Sequence, residues 1–251
     1  MRFISICLIG LFVLSGCTPV PVRDGVDNSK ASDANASLGV AYMMKGNYEV
    51  AMRKLKKAIQ YNEDNPDAHH YIAELYNRID ENKLAEKHFE IALDLAPQDS
   101  SIKNNYGIFL CGQKKVKEGV ELFENVLNDP LYKNKGKAYE NMGVCTLSSG
   151  NIFQAKNYFQ QALTINKNLP TSLLSMAQIE FDKQHINLAA QYLSRFNKNS
   201  THTAQSLWLG YLIERKLGNK NRTASYSVLL KGKFPDSKEA KLLEKLQSRN
   251  K

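Results

Sequence analysis

The amino-acid sequence predicts an all-α protein: a right-handed superhelical solenoid of five to six antiparallel helix pairs with a C-terminal capping helix. Three observations predict it. Small residues recur at Gly39, Ala73, Gly107, Gly143 and Ala177, separated by 34, 34, 36 and 34 residues. Each is followed at a constant offset by a second small residue (Ala51, Ala85, Gly119, Ala155, Ala189) and four residues later by a bulky one (Leu55, Phe89, Phe123, Phe159, Leu193). Turn signals fall between the two helices at Gly46-Asn47, Asp80-Glu81-Asn82, Gly150-Asn151 and Gly218-Asn219, with Pro66, Pro97, Pro130, Pro170 and Pro235 near the junctions between pairs.

The physical reason for the pattern is packing distance. Helices that cross closely need a small residue on each at the crossing point, with large apolar side chains filling the grooves beside it. A period of about 34 residues per helix pair is the spacing of a tetratricopeptide repeat. The repeats are expected at about 32–65, 66–99, 100–135, 136–169 and 170–203, followed by a degenerate sixth at 204–236 and a capping helix at 237–249, the solenoid domain as a whole taking 36–251. The sixth unit departs from the pattern because Ala224 falls six residues after Gly218, where five is usual. Trp208, the only tryptophan, is expected to plug the core there, since an end repeat must cover an apolar face that no following unit buries. Leu242, Leu243 and Leu246 give the capping helix one apolar face.

Ahead of the array, Met1-Arg2 supplies a positive start, Phe3 to Val13 an apolar run too short to span a bilayer comfortably, and Leu14-Ser15-Gly16-Cys17 a lipobox. Residues 1–16 therefore read as a lipoprotein signal and Cys17 as the lipidated first residue of the mature chain. Two or more acyl chains make such an anchor stable. Thr18 stands where aspartate commonly signals retention in the inner membrane, which points to the periplasmic face of the outer membrane. Residues 17–35, polar and without helical periodicity, are expected to form a flexible tether; at about 3.1 Å per residue it would hold the solenoid several tens of Å from the membrane.

The formal net charge is +9, from 34 Lys and Arg against 25 Asp and Glu. Nucleic acid is not an expected partner, because a secreted lipoprotein does not meet it, and runs such as Arg53-Lys54 with Lys56-Lys57 read as solvated helix faces. Cys7 leaves with the signal, so Cys111 and Cys145 are the folded domain's two cysteines, 34 residues apart near the ends of successive first helices. Neighbouring first helices lie side by side, close enough for a disulfide in an oxidising compartment; two buried free thiols are the alternative.

First helices of successive repeats line a groove that can hold a segment of another polypeptide. Its expected lining is Val40, Met43 and Met44, then His70, Glu74, Asn77 and Arg78, then Asn104 and Ile108, then Glu140, Val144 and Leu147. The methionines and Val40 would grip apolar residues of the partner, while Glu74 and Arg78 would fix register. Catalytic chemistry is not legible. His70 and Glu74 stand four apart on one helix face but lack a third metal ligand, and neither a glycine-rich phosphate loop nor a Ser/His/Asp grouping appears. No metal, cofactor or small-molecule substrate is expected, and no enzyme.

Several stretches are not demanded by the generic repeat: Asn104-Asn105-Tyr106-Gly107 with Phe109-Leu110-Cys111, Asp129-Pro130-Leu131-Tyr132, Gly143 with Cys145, Ser206-Leu207-Trp208-Leu209-Gly210, and Phe234-Pro235-Asp236-Ser237 with Glu239. With the lipobox, they resemble the type IV pilus biogenesis lipoproteins, the tetratricopeptide pilotins of the PilF/PilW type, over about Ala36 to Ala240. The resemblance implies an outer-membrane lipoprotein whose partner is the pilus secretin and which promotes the secretin's outer-membrane localisation and multimerisation, or pilus stability. The alternative is a tetratricopeptide lipoprotein adaptor for peptidoglycan hydrolases or synthases.

Overall fold

The computed structural model describes residues 27–248; the signal, Cys17 and most of the expected tether lie outside the described residues. The described chain is helical, in the order α1 (Asn28–Met44), α2 (Tyr48–Tyr61), α3 (Pro66–Arg78), α4 (Asn82–Leu95), α5 (Ser100–Gly112), α6 (Val116–Asn128), α7 (Lys135–Ser148), α8 (Ile152–Ile165), α9 (Pro170–Asp182), α10 (Ile186–Asn199), α11 (Ala204–Lys216), α12 (Lys220–Lys233) and α13 (Lys238–Ser248). Odd and even helices pair as hairpins, and α13 closes the end against α11 and α12.

The hairpins share one stop signal. Each first helix ends at a residue in the left-handed region: Gly46 (φ 75°), Asp80 (61°), Lys114 (63°), Gly150 (82°), Gln184 (63°) and Gly218 (75°). The residue after it commonly donates its N–H back five positions, as Asn47 to Tyr42, Glu81 to Tyr76 and His185 to Glu180 do at 2.9–3.0 Å. This geometry satisfies carbonyls that the helix end leaves without partners. Its spacing of 34, 34, 36, 34 and 34 residues carries the repeat register through all six units.

At the crossings the small residues are required. A Cβ on Gly39 would come within 2.5 Å of Leu55 Cγ, and one on Gly143 within 2.6 Å of the Phe159 ring. Leu55, Phe89, Phe123 and Phe159 are fully buried there, each contributing about 1.5–3 kcal/mol of transfer free energy. In the sixth unit the crossing is shifted by one residue: a Cβ on Gly210 would come within 2.5 Å of the Tyr226 ring. Seven residues before the turn glycine stands Tyr211, buried, where the other units have Gly or Ala, and nine residues after it stands Ser227, where they have Leu or Phe. Trp208 is partly buried and stacks on Tyr211, ring centroids 5.6 Å apart.

One boundary needs correction. The tether was expected to run to residue 35, yet α1 begins at Asn28, capped by the Asp27 carboxylate, which accepts from Lys30 N at 3.2 Å. Ser32 Oγ donates to the Ala58 carbonyl (2.8 Å), and Asn65 Nδ2 donates to Ser32 Oγ (2.9 Å) and Asp33 Oδ1 (2.8 Å). These polar ties to α2 and to the start of α3 order a segment whose sequence has no apolar periodicity. Cys111 and Cys145 form a disulfide with Cα atoms 5.3 Å apart, joining α5 to α7 across the connector that carries two extra residues.

Candidate partner-binding groove

The backbone of each first helix comes close to that of the next first helix all along the stack, from α1 with α3 to α9 with α11, whereas the backbones of successive second helices from α2 to α12 stay farther apart. The first-helix layer is therefore the tighter, inner curve. Positions two and six residues before each turn residue share one helical face, and that face is the inner surface. It carries Val40, Glu74, Ile108 and Val144 at one position and Met44 and Arg78 at the other. Met44, Arg78, Ile108 and Val144 are exposed; Val40 and Glu74 are half-buried.

The structure brings part of the expected lining together. Glu74, Asn77, Arg78 and Ile108 line one concavity of about 360 Å³ with Phe89 and Asn105. Ile108 continues into a second, of about 390 Å³, with Glu140, Val144 and the Cys111–Cys145 disulfide on its wall. Leu147 is half-buried and packs against the apolar core of the neighbouring units. Asn104, half-buried, belongs to a polar ladder across three helices. Asn141 Nδ2 donates to Asn104 Oδ1 (3.1 Å), Asn104 Nδ2 to Asn105 Oδ1 (3.1 Å) and Asn105 Nδ2 to Glu74 Oε1 (2.6 Å), with His70 Nε2 3.1 Å from the same oxygen. Burial of Glu74 opposes its ionisation, but the hydrogen bonds from His70 and Asn105 and the Arg78 charge outweigh it and hold the carboxyl below its ordinary value.

Three expected lining residues are buried rather than exposed on the inner surface. Met43 is 4% exposed and packs with Leu55, Ile72, Leu75 and Tyr76, whereas its neighbour Met44 is 82% exposed. One residue is a 100° rotation on a helix, enough to move a side chain from the inner surface to the hairpin interior. His70 is buried against Asn105 and Glu74 because its position faces the next first helix. Glu140, at the equivalent position, is 1% exposed. Its Oε2 accepts from Ser172 N (2.7 Å) and Oγ (2.9 Å), so it caps the first turn of α9, whose own N-cap, Leu169, has no side-chain acceptor. A carboxylate is stabilised there by the free N–H groups and the helix dipole.

Asn105 and Asn141 are the groove residues that sequence reading missed. They recur 36 residues apart, the same interval as Gly107 and Gly143, so the signal was present in the register. Among the described residues no three His, Cys, Asp or Glu side chains converge as metal ligands. The surface offers a polar ladder flanked by exposed apolar side chains.

Comparison with known proteins agrees with this architecture. Family models described as TPR repeat and tetratricopeptide repeat match residues 33–79 and 131–169. The type IV pilus assembly protein PilF of Pseudomonas aeruginosa is 31% identical over 230 residues, 90% of this chain and 91% of PilF. An uncharacterised protein of Haemophilus influenzae is 29% identical over 152 residues, 61% of this chain and 82% of that one. Among solved structures, P. aeruginosa PilF superposes with a TM-score of 0.78 at 31% identity, covering 86% of this chain and 98% of PilF. PilW, described as a widely conserved type IV pilus biogenesis factor, gives 0.76 at 28%, covering 84% and 97%. With 31% identity to PilF over nine-tenths of both chains and the same fold as PilF and PilW, this protein belongs to the PilF/PilW family of tetratricopeptide type IV pilus biogenesis proteins.

Proposed function

We propose that this protein is a non-catalytic pilotin: an outer-membrane lipoprotein, anchored through acylated Cys17, that binds the type IV pilus secretin along its inner groove and promotes the secretin's localisation and multimerisation. The observation that carries the reading is the likeness to PilF along nine-tenths of the chain. The groove supports it chemically. Met44, Ile108 and Val144 offer apolar contact on either side of the Glu74, Asn105 and Arg78 cluster. An extended or helical segment with apolar residues flanking a polar pair matches that order.

Because Met43 is core, the groove is tested at exposed positions. Ile108→Asp combined with Val144→Asp should abolish secretin co-purification while leaving the helical melt in place; undiminished co-purification removes the groove from the mechanism. Deleting the gene should eliminate detergent-resistant secretin multimers. Multimers at normal abundance in the deletion strain would refute the assembly role. Cys17→Ser should release the protein from the membrane fraction, and retention there would refute the lipid anchor.

A further inference from the structure

Two carboxylates occupy the same repeat position, each four residues before its turn residue, and they are matched unequally: both oxygens of one have a Lys or His neighbour, and only one oxygen of the other has a cation. Glu180 is fully buried, with Lys156 Nζ 2.6 Å from Oε1 in an ion pair without hydrogen-bond geometry and His185 Nδ1 2.7 Å from Oε2. Glu214, 34 residues on, has a side chain only 9% exposed. The exposed Arg222 reaches its Oε1 with Nη1 at 3.3 Å, and Oε2 has no hydrogen-bond partner. The reason lies one hairpin back: the residue that corresponds to Lys156, 34 positions later, is Ala190. Where an ammonium-bearing chain would run there is a cavity of about 410 Å³ between α10, α11 and α12, with Ala190 and Glu214 in its wall.

The same cavity holds two more buried polar atoms without partners, Asn197 Oδ1 and His202 Nδ1. Asn197 Nδ2 donates to the Tyr226 hydroxyl at 2.9 Å, which fixes the amide with its Oδ1 acceptor unpartnered. Leu193, Ile213 and Leu229 supply apolar wall. A buried acceptor left empty is costly, and a buried carboxylate oxygen the more so. An anion is excluded by Glu214, and a neutral apolar group would leave the carboxylate stranded.

We propose that this cavity receives a lysine side chain from another polypeptide, its ammonium donating to Glu214 Oε2 and Asn197 Oδ1 and its methylenes lying on Leu193, Ile213 and Leu229. The protein already shows the solution once, with its own Lys156 on Glu180. A lysine carries three ammonium donors on a flexible apolar stem, matching orphan acceptors above an apolar wall. A free diamine is disfavoured, because Lys198 and Arg222 also border the cavity and repel a second cationic group. The site faces the outer clefts between second helices and is independent of the inner-groove reading.

The test is a titration of the ¹⁵N-labelled full chain in detergent micelles with Nα-acetyl-lysine amide, Nα-acetyl-norleucine amide and 1,5-diaminopentane, following the Ala190, Asn197 and Ile213 signals. Saturable shifts with the lysine compound and none with norleucine are expected. Glu214→Gln should weaken the lysine compound at least about tenfold, as loss of a charged hydrogen bond implies. Ala190→Lys, which places an internal ammonium in the cavity, should abolish binding while the protein stays folded. Equal shifts with norleucine, unchanged affinity in Glu214→Gln, or diaminopentane binding as tightly as lysine would each overturn the proposal. So would binding confined to Lys198→Ala, which would mean that Lys198 itself fills the site.

Discussion

The fifth and sixth repeats use the same backbone plan and the same glutamate, but they reach opposite states. In the fifth, Lys156 and His185 close the charge and small Ala177 meets large Leu193. In the sixth, Ala190 leaves one carboxylate oxygen of Glu214 without a hydrogen-bond partner, and the crossing moves back one residue, to small Gly210 against large Tyr226. Register in this solenoid is thus held by the turn geometry, which recurs in all six units, while side-chain volume and charge can be rearranged around it. An end repeat has no following hairpin to satisfy, so it is free to carry an unmatched group.

The comparison can be broken most sharply at Tyr211. Tyr211 is buried beside the shifted crossing, so Tyr211→Ala should destabilise the protein by about 3 kcal/mol, the cost of emptying a core aromatic site; a neutral change in a urea melt would show that the sixth unit does not depend on it. Lys156→Met comes next. It leaves Glu180 as Glu214 is now, with His185 as its remaining partner, and should cost about 2 kcal/mol in the same measurement. The converse, Ala190→Lys, should raise stability by about 1 kcal/mol by supplying the missing ammonium. Smaller still is the turn. Gln184 pays for a left-handed conformation that Gly218 adopts freely, so Gln184→Gly should stabilise by about 0.5–1 kcal/mol, and a lower melting temperature would contradict the reading.

An acid titration distinguishes the fifth repeat from the second. In α3 and α4, His69 Nδ1 and His88 Nδ1 lie 2.9 Å apart, and burial followed by the neighbouring His69 charge pushes the His88 imidazole down to about 4. The unfolded chain, near the ordinary 6.5, then binds more protons in that window. Stability should fall as pH drops from about 6.5 to about 4. Glu180 behaves differently: burial favours its neutral form, yet Lys156 and His185 hold its carboxyl below the ordinary value. Its contribution persists until pH falls through that lowered value. Burial also pushes the His69 imidazole down, so His88→Phe should shrink the earlier phase, read by hydrogen exchange of α3 and α4 amides, and leave the later one.

Much of the architecture was legible because the repeat writes one packing requirement many times. Gly39 and Gly143 have no room for a Cβ, so the spacing of such residues reports the crossings directly. The groove was half legible. Ile108, Val144, Arg78 and Met44 follow from position on the inner face, but Met43, His70 and Glu140 did not. Their fate depends on which flank the next hairpin covers, and a polar side chain on that flank can line a groove or cap a neighbouring helix. The start of α1 was hidden for a related reason: its ordering comes from Asn65 and Ala58, distant in sequence.

By itself the sequence determined the helix-pair plan, the positions of the turns and the likeness to pilus biogenesis proteins, because local capping, close crossings and periodic apolar faces are short-range demands that the chain must meet in every unit. Only the tertiary structure decided which polar groups are satisfied and which are left open. The Glu140 carboxylate finds the first turn of α9, Glu180 finds Lys156, and Glu214 finds Arg222 on one oxygen and nothing on the other. Those outcomes turn on a few ångströms between side chains from different hairpins, a distance that no periodicity along the chain encodes.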